Sequence, residues 1–502
     1  MSQSSHSDRT IKGVNWNLLR VIVQTVISLG VMVYVTRLLP ADDFGLLALA
    51  MVFIGFGEII SSMGMGSAIV QRSVADDQSI RIANTLAVCV GGCLVVFMVA
   101  LATPVSWFFN YPEVGSLLQV LSIGIFAAAV STVSRGLLMR RLDFRRLFFI
   151  DSIAHVIGYA GGVVVFLELG YGIWAVVYGT LLANVFSALL SFVYEPFKMS
   201  FRPDVKVLKE LLSFGGTISI SNIIGYFARN LDVFTIGKLL DAAALGYYNR
   251  AYHLVNLPLV KIAATLTTVM FSSYSEVKDD QVRVREVYTR VLGLTVLGTF
   301  PLFVGMLIAA PYLIVGLYGE RWEPAVLSFQ VLCLMGLIRL VMVITGPIVQ
   351  AVGLVKQEMW LQVGFFVMLA ISCIYASQFG IAGVASAVVV STLALYFGIA
   401  RLALQATGLS WRQFFAAQVP GYSLGVVVAL CDTAGYYVLE TYTQLPALAG
   451  LVIMVMISGV SAVLGFLLLP NVLIGSVRQW VIGKFSGKLP ARFRAPLVGR
   501  YL

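Results

Sequence analysis

Six basic residues lie inside stretches of the sequence that are otherwise apolar enough to be embedded in lipid. A charge near the centre of a bilayer costs about 2.5–3.5 kcal/mol, so such residues usually face a protein interior or a water-filled cavity. Acidic residues in the same stretches are fewer, mainly Glu58 and Asp232. The simplest interpretation of surplus positive charge in the interior of a membrane protein is that the protein binds or transports an anion. The six residues are Arg20, Arg135, Arg229, Arg250, Lys261 and Arg339.

The other reactive residue types form no recognisable catalytic or metal-binding pattern. The three histidines have no Ser/His/Asp or metal-site spacing, and the five cysteines are interpreted as small apolar packing residues. No Gly-x-x-x-x-Gly-Lys-Ser/Thr phosphate-binding motif occurs in the chain. The sequence therefore predicts that the protein is not an enzyme and has no cofactor, apart from a coupling ion such as H+ or Na+.

The elements that must position the charges are membrane-spanning helices. The chain is 59% hydrophobic and only 12% charged, with a mean hydropathy of +0.92, which excludes an ordinary soluble protein. We predict an all-α polytopic membrane protein with fourteen transmembrane helices, the first of which is retained rather than cleaved as a signal peptide. The predicted spans are residues 14–36, 44–70, 82–103, 115–138, 147–168, 172–194, 213–237, 244–270, 289–310, 326–350, 358–378, 381–404, 415–438 and 447–469.

The basic residues also predict the orientation of the chain. With the N-terminus inside, most of the 34 Lys and Arg residues lie on the cytoplasmic side, and only Arg37, Lys238 and Arg321 lie on the opposite face. This asymmetry follows the positive-inside rule and places both termini in the cytoplasm. Topology and contact with anionic membrane lipids account for the net charge of +10, so no nucleic-acid partner is expected.

An internal repeat relates the two halves of the chain. Residues 37–45 read RLLPADDFG and residues 238–246 read KLLDAAALG, so that at an offset of 201 a cation, Leu-Leu, Ala and Gly coincide. Each motif follows an apolar span at the same point of the predicted topology, which indicates two parallel six-helix lobes followed by two more helices. The predicted boundaries are 1–196 for the first lobe, 197–406 for the second lobe, 407–470 for helices 13 and 14, and 471–502 for a basic cytoplasmic tail.

Polar residues on helix faces define the candidate site. Arg20, Gln24 and Ser28 share one face of the first helix, and the repeat offset places Arg229 on the equivalent face of the seventh. These faces predict a central cationic cavity in which five residues bind substrate and three others act as coupling groups or charge partners. The substrate-binding residues are Arg20, Arg229, Arg250, Lys261 and Arg339, and the others are Glu58, Asp232 and His253.

Several of these residues have a purely structural alternative. Arg20 lies near the end of its helix and could extend to the lipid headgroups. Arg229 and Asp232 are one helical turn apart and could simply pair with each other. Asp151 and His155 are i, i+4 partners, a spacing that more often indicates a local hydrogen bond than a proton relay.

Short motifs near the predicted helix ends carry a resemblance to a known family. They are Gly13-Val14-Asn15-Trp16, Val35-Thr36-Arg37-Leu38-Leu39-Pro40, Phe44-Gly45, Asn230-Leu231-Asp232, Ile236-Gly237-Lys238 and Leu245-Gly246-Tyr247-Tyr248. In these motifs the chain resembles the Wzx-type flippases, the polysaccharide transporter branch of the multidrug/oligosaccharidyl-lipid/polysaccharide superfamily.

This resemblance implies that the protein moves undecaprenyl-diphosphate-linked oligosaccharide from the cytoplasmic to the periplasmic leaflet of a bacterial inner membrane. It implies alternating access driven by an ion gradient or the membrane potential, for exopolysaccharide or O-antigen-type export. It also implies membrane lipids and the polysaccharide polymerase and assembly machinery as partners. Three alternatives are a peptidoglycan-precursor flippase, a cation-coupled multidrug antiporter and a membrane scaffold that transports nothing; the positive interior argues against the antiporter.

Overall fold

The computed structural model describes residues 3–62, 77–196, 199, 225–277, 281–471 and 473–474, which are nearly all helical and contain no strand. Eleven segments of these residues are long and apolar enough to cross a membrane. The prediction of an all-α, multi-pass membrane protein is therefore confirmed, whereas the count of fourteen helices and the two-lobe layout stay predictions. The segments are Asn15–Leu38, Ala41–Ser61, Asp77–Phe109, Pro112–Arg140, Phe144–Glu168, Trp174–Tyr194, Val282–Ile308, Ala325–Gln350, Val355–Thr407, Val419–Tyr442 and Ala447–Leu468.

Parts of two predicted spans, 44–70 and 213–237, lie outside the described residues, as does most of the predicted tail at 471–502. The chain forms two compact units, Met1–Gly246 and Tyr247–Leu502. The lobe boundaries expected at residues 196, 406 and 470 stay predictions.

The described residues of the first unit contain eight helices and a short helical segment at residues 225–229, and a further helix begins at the end of the unit. A π-helix, Ala154–Gly161, joins the fifth and sixth helices into one continuous rod. The helices are α1 (Gln3–Leu38), α2 (Ala41–Ser62), α3 (Asp77–Phe109), α4 (Pro112–Arg140), α5 (Phe144–Ile153), α6 (Gly162–Glu168), α7 (Trp174–Tyr194), α8 (Leu231–Leu239) and α9 (Ala242–Val277), the last continuing into the second unit.

Local sequence explains where these helices begin. Pro112 opens α4 at a position where a backbone N–H would have no helical partner, so its missing donor costs nothing. Asp143 caps α5, and its side chain accepts a hydrogen bond from the Arg146 backbone N–H. The π-helix packs tightly on α7, because a Cβ on Gly158 would lie 2.6 Å from the Ala183 Cα. Such π segments often occur at functional sites.

The two repeated motifs contact each other reciprocally inside the first unit. A Cβ on Gly45 would lie 1.9 Å from the Ala242 carbonyl oxygen, and one on Gly246 would lie 1.9 Å from the Ala41 carbonyl oxygen. Ala41 and Ala242 occupy equivalent repeat positions, as do the two glycines. Only glycine fits at either place, because any larger residue would collide with backbone. The N-terminal turns of α2 and α9 therefore cross at backbone contact.

Next to this crossing, the two halves of the repeat are joined by a further contact. Lys238, at the end of α8, donates a hydrogen bond from Nζ to the Phe108 carbonyl oxygen at the end of α3. The same ammonium lies 4.6 Å from the centroid of the Phe108 ring. A cation is favourable here both for the aromatic face and for the carbonyls at the end of a helix.

The described part of the second unit contains α10 (Gln281–Ile308), α11 (Ala310–Tyr318), α12 (Ala325–Ala351), α13 (Val355–Ala376), α14 (Gly380–Thr407), α15 (Trp411–Ala416), α16 (Val419–Tyr442) and α17 (Ala447–Leu468). Gly380, with a φ of +69°, makes the turn between α13 and α14. Tyr288, Ile344, Ile399 and Phe414 pack in one apolar core of this unit. Helices α10 and α16 approach closely, because a Cβ on Gly421 would lie 2.5 Å from the Val296 carbonyl carbon.

Candidate functional site

A polar cavity of about 690 Å³ lies within the first unit, among α1, α4, α5, the π-helix and α7. Its lining contains one cation, one carboxylate, one imidazole and several hydroxyl and amide groups, unlike the apolar surroundings of the helices. The lining residues that carry these groups are Gln24, Ser131, Thr132, Arg135, Asp151, His155, Asn184 and Ser187.

Asp151 is the centre of this cavity's charge, with only 9% of its side chain exposed. Arg20 donates from Nη1 to Asp151 Oδ2 at 2.8 Å. Arg135 donates from Nη1 to Oδ1 at 2.5 Å and from Nη2 to Oδ2 at 3.0 Å, which is a bidentate pair. One carboxylate is thus shared between two guanidinium groups, and the cluster keeps one formal positive charge.

The cluster connects four elements of the first unit. Arg20 comes from α1, Arg135 from the last turns of α4 and Asp151 from α5. Arg135 also donates from Nη1 to the Ser187 Oγ of α7 at 3.1 Å. Because each charged side chain has a partner on another helix, the cost of removing the charges from water is partly offset.

A second polar contact borders the same cavity. His155, in the π-helix, places Nε2 2.8 Å from the Ser28 Oγ on α1. The imidazole also stacks on the Tyr159 ring, with centroids 4.9 Å apart. Asp151 and His155 therefore use different partners, rather than the local hydrogen bond that their i, i+4 spacing favours.

This arrangement can bind an oxyanion. Guanidinium groups present paired N–H donors that match phosphate and carboxylate oxygens, and two of them converge here. A metal ion has no comparable place in the described part of the chain, where no group of three or more His, Cys, Asp or Glu side chains is arranged to hold one.

Of the eight predicted site residues, only Arg20 belongs to this cluster. Three others lie elsewhere in the first unit. Arg229 is exposed, and its Nη1 lies so close to Gly225 that a Cβ there would be 3.1 Å away. Asp232, near the start of α8, is buried, and its Oδ1 accepts from the Val233 backbone N–H at 2.9 Å. Glu58 is exposed on α2.

The remaining four predicted residues lie in the second unit. Arg339 of α12 donates from Nη1 to the Tyr252 hydroxyl of α9 at 2.8 Å, and its guanidinium carbon lies 5.8 Å from that ring's centroid. Arg250 is half-buried on α9, whereas His253 and Lys261 are exposed on the same helix. The structure thus brings Arg339 onto a tyrosine of α9, and the substrate-binding roles of all these residues stay predictions.

The prediction placed Ser28 on the same helix face as Arg20, but it missed the grouping of Arg135, Asp151 and His155 with them. One signal was available in the sequence. Asp151 is an acid at the edge of an apolar span, and a charge in such a place needs a partner of opposite sign, of which Arg20 and Arg135 were candidates.

Comparison with known proteins adds a family, relatives and a fold. A family model described as "Polysaccharide biosynthesis protein" matches residues 34–327. The lipopolysaccharide biosynthesis protein WzxC of Escherichia coli (strain K12) is 24% identical over 84% of this chain and 88% of its own length. The teichuronic acid biosynthesis protein TuaB of Bacillus subtilis (strain 168) is 24% identical over 75% of this chain and 78% of its own.

Two solved structures share the fold. The lipid II flippase MurJ, in an inward closed conformation, aligns with a TM-score of 0.68 at 14% identity, over 89% of this chain and 97% of that one. An inward-facing multidrug-resistance MATE transporter of the MOP superfamily aligns with a TM-score of 0.61 at 20% identity, over 78% and 98% of the two chains.

Proposed function

Because the chain belongs to the polysaccharide biosynthesis protein family, we propose that it is a flippase for a lipid-linked oligosaccharide. The family match confirms the resemblance inferred from the short motifs, and the relatives are named for polysaccharide biosynthesis rather than for an enzymatic activity. The proposed substrate is an undecaprenyl-diphosphate-linked repeat unit, moved from the cytoplasmic to the periplasmic leaflet of the inner membrane. The proposed orientation has both termini in the cytoplasm.

The observation that carries this proposal is the partly buried Arg20–Asp151–Arg135 cluster. A diphosphate is a dense oxyanion that needs a cationic, hydrated path through the bilayer, and the cluster borders a polar cavity within membrane-spanning helices. Two unit charges about 4 Å apart interact by about 4 kcal/mol at an effective dielectric constant of about 20. This attraction favours an anion over a neutral lipid, and the net gain is what remains after a contact with Asp151 is displaced.

In this proposal, Asp151 is an internal counter-anion. When no substrate is bound, the carboxylate holds both guanidinium groups at 2.5–3.0 Å, so that Arg135 does not face the cavity unpaired. An incoming phosphate takes over one guanidinium group, while the other stays paired with Asp151. This exchange avoids the large cost of leaving a buried cation without a partner. The same exchange in reverse, in which the carboxylate rebinds the guanidinium group, favours release of the substrate.

The rest of the mechanism extends this cluster to the predicted architecture. Fourteen helices in two six-helix lobes plus a pair would give alternating access, with the other cations receiving the headgroup in turn. The other cations are Arg229, Arg250, Lys261 and Arg339, and the candidates for coupling to H+ or Na+ are Glu58, Asp232 and His253.

The proposal is tested by mass spectrometry of the lipids that copurify with the full-length protein. The wild type is compared with Arg20→Gln/Arg135→Gln, with Lys261→Ala/Arg339→Ala and with a control, Arg412→Gln, whose side chain is exposed on α15. We expect a polyprenyl-diphosphate glycan in the wild type and the control and its depletion in both double variants. Ordinary phospholipid alone in the wild type would contradict the substrate class, and equal retention in all four proteins would contradict the cationic site.

Three cellular assays separate the alternatives. A peptidoglycan-precursor flippase handles a similar diphosphate, so rescue of cell-wall synthesis in cells that lack their own flippase would favour that function. A multidrug antiporter would raise resistance to cationic dyes on expression, a result at odds with a cluster that keeps a positive charge. A scaffold would leave glycan export unchanged when Arg20 and Arg135 are both replaced.

A further inference from the structure

A second buried charge-bearing group lies in the other unit, far along the sequence from the cluster described above. Asp432 is near the middle of α16, within a membrane-spanning segment, and is 0% exposed. Its Oδ2 accepts a hydrogen bond from the Ser458 Oγ of α17 at 2.6 Å. Its Oδ1 is also buried, and among the described residues it has no hydrogen-bond partner.

In the described part of the chain, the helices that pack on α16 bring no cation to this carboxyl group. Helix α17 contains no titratable residue. Helix α10 faces Asp432 near Gly305, whereas its charged residues lie between Arg283 and Arg290, at least 15 residues away, or about 22 Å along a helix. From α11, Tyr312 contacts the Tyr436 ring one turn beyond Asp432, with centroids 5.6 Å apart. The titratable residues of α16 itself are Tyr422, Cys431, Tyr436, Tyr437, Glu440 and Tyr442.

A glycine leaves space beside the Asp432–Ser458 pair. A Cβ on Gly305 would lie 3.1 Å from the Ser458 Oγ and 3.3 Å from the Asp432 Oδ2. Gly305, Ser458 and Gly459 also line a mainly apolar cavity of about 420 Å³. The carboxyl group therefore lies next to Gly305 and Ser458, two residues in the wall of a small apolar space, and its ionised form has no counter-ion among the described residues.

The two protonation states of such a group differ strongly in cost. An ionised carboxylate without a cation inside an apolar helix bundle is strongly penalised, whereas a neutral acid is a polar group with one hydrogen bond already made. In the neutral form, Oδ2–H can donate to the Ser458 Oγ at the same separation, and Oδ1 is then an uncharged carbonyl oxygen. One carboxyl and one hydroxyl group are too few oxygen ligands for a hard metal cation.

We propose that Asp432 is a proton-binding site in which the carboxyl group is held as a neutral acid at neutral pH. One proton adds to one carboxylate oxygen, and no other bond is made or broken. The site lies outside the groups that the sequence suggested for ion coupling, and it does not depend on the identity of the transported lipid. A transporter with this site carries a titratable group between α10 and the α16–α17 pair.

The test is infrared spectroscopy of the full-length protein in vesicles, because a protonated carboxylic acid has a carbonyl-stretch band that a carboxylate lacks. The wild type is compared with Asp432→Asn, which keeps the shape and the contact with Ser458, and with Glu440→Gln, an exposed acid on the same helix. We expect the band at neutral pH in the wild type and in Glu440→Gln and its loss in Asp432→Asn. The band should disappear from the wild type when the pH is raised well above neutral.

An unchanged spectrum in Asp432→Asn at neutral pH would overturn the proposal, because it would show that the wild-type carboxyl group is ionised. Ser458→Ala provides a second variant, since it removes the hydroxyl partner without touching the acid and should keep an acid band at a shifted position. Glycan export measured on the same proteins is a separate result. If the wild-type protein shows the acid band but does not export glycan, the proposed function is contradicted and the proton site still stands.

Discussion

Replacement of Asp151 by Asn is the sharpest test of the cluster in the first unit. The substitution keeps the shape of the side chain and one acceptor oxygen, but it removes the negative charge that Arg20 and Arg135 share. The formal charge of the cluster rises from one to two positive charges. We expect opposite effects on stability and on anion binding, which a general loss of folding would not produce.

The size of the stability effect follows from the geometry. Breaking a buried ion pair by removing one partner costs about 3–5 kcal/mol, because the other charge is left uncompensated. The side chains of Arg20 and Arg135 are 19% and 24% exposed, so water screens part of the loss and the low end, about 3 kcal/mol, applies. Domains have about 5–15 kcal/mol of stability, so the variant still folds. For a unit of this size, the loss corresponds to a melting temperature lower by about 6–12 °C.

Anion binding should change in the other direction. Once freed from the carboxylate, the two guanidinium groups bind pyrophosphate more tightly than in the wild type, and pyrophosphate should therefore raise the melting temperature of the Asn variant more. Transport should fall, because the exchange partner that helps release the substrate is gone. Thermal unfolding with and without pyrophosphate measures both effects on the same purified protein. Asp77→Asn is the matched control, because it breaks an exposed i, i+4 pair with Arg81 worth about 0.5 kcal/mol or less.

A double-mutant cycle completes this prediction. Arg135→Gln alone should destabilise the protein and weaken pyrophosphate binding. The double variant Arg135→Gln/Asp151→Asn should lose about 0.5–3 kcal/mol less stability than the sum of the two single losses, because the two side chains are direct partners. Additive losses within about 0.5 kcal/mol would refute the pairing and the counter-anion role with it.

Two further predictions concern the repeat and the second unit. Gly45→Ala or Gly246→Ala should lower the melting temperature by overpacking, at a cost of about 1–3 kcal/mol or more in the free energy of unfolding. Gly30→Ala is the control and should be neutral or slightly stabilising, because nothing lies within 4 Å of a Cβ there. Equal effects at all three glycines would contradict the close crossing. Arg339→Gln should abolish glycan export at unchanged protein levels. Tyr252→Phe removes only the hydroxyl that lies 2.8 Å from Arg339 Nη1, and it should reduce export by less than tenfold. Full export by Arg339→Gln would rule out a role for this cation.

The sequence predicted the helices well because their signal is local. Apolar runs of about 20 residues reveal lipid-embedded helices one by one, and residues such as Pro112 and Gly380 mark where a helix begins or a turn lies. Several helices extend beyond the apolar runs, as α3 does at both ends. Hydropathy did not show this, because residues 77–81 are mostly polar yet helical, and Pro104 lies inside the helix instead of ending it.

The candidate site was less predictable because its contacts are tertiary. Periodicity places Arg20, Gln24 and Ser28 on one face of α1, but it does not show which helix that face meets. Asp151 and His155 looked like partners of each other because only local spacing was visible. In the structure, each instead contacts α1, and only knowledge of which helices are neighbours could have paired Asp151 with Arg20 and Arg135.

The crossing of Gly45 and Gly246 also has a consequence for the origin of the chain. A contact in which position i meets j, and the equivalent of j meets the equivalent of i, is the kind that a two-fold axis generates between identical subunits. In a dimer of half-length chains, one glycine codon would supply both sides of this contact. In the present chain, the two glycines are encoded separately, and each lies against the backbone of the opposite repeat. Gene duplication would thus have turned one required glycine into two. A change in either glycine codon can now disrupt the backbone contact at the crossing.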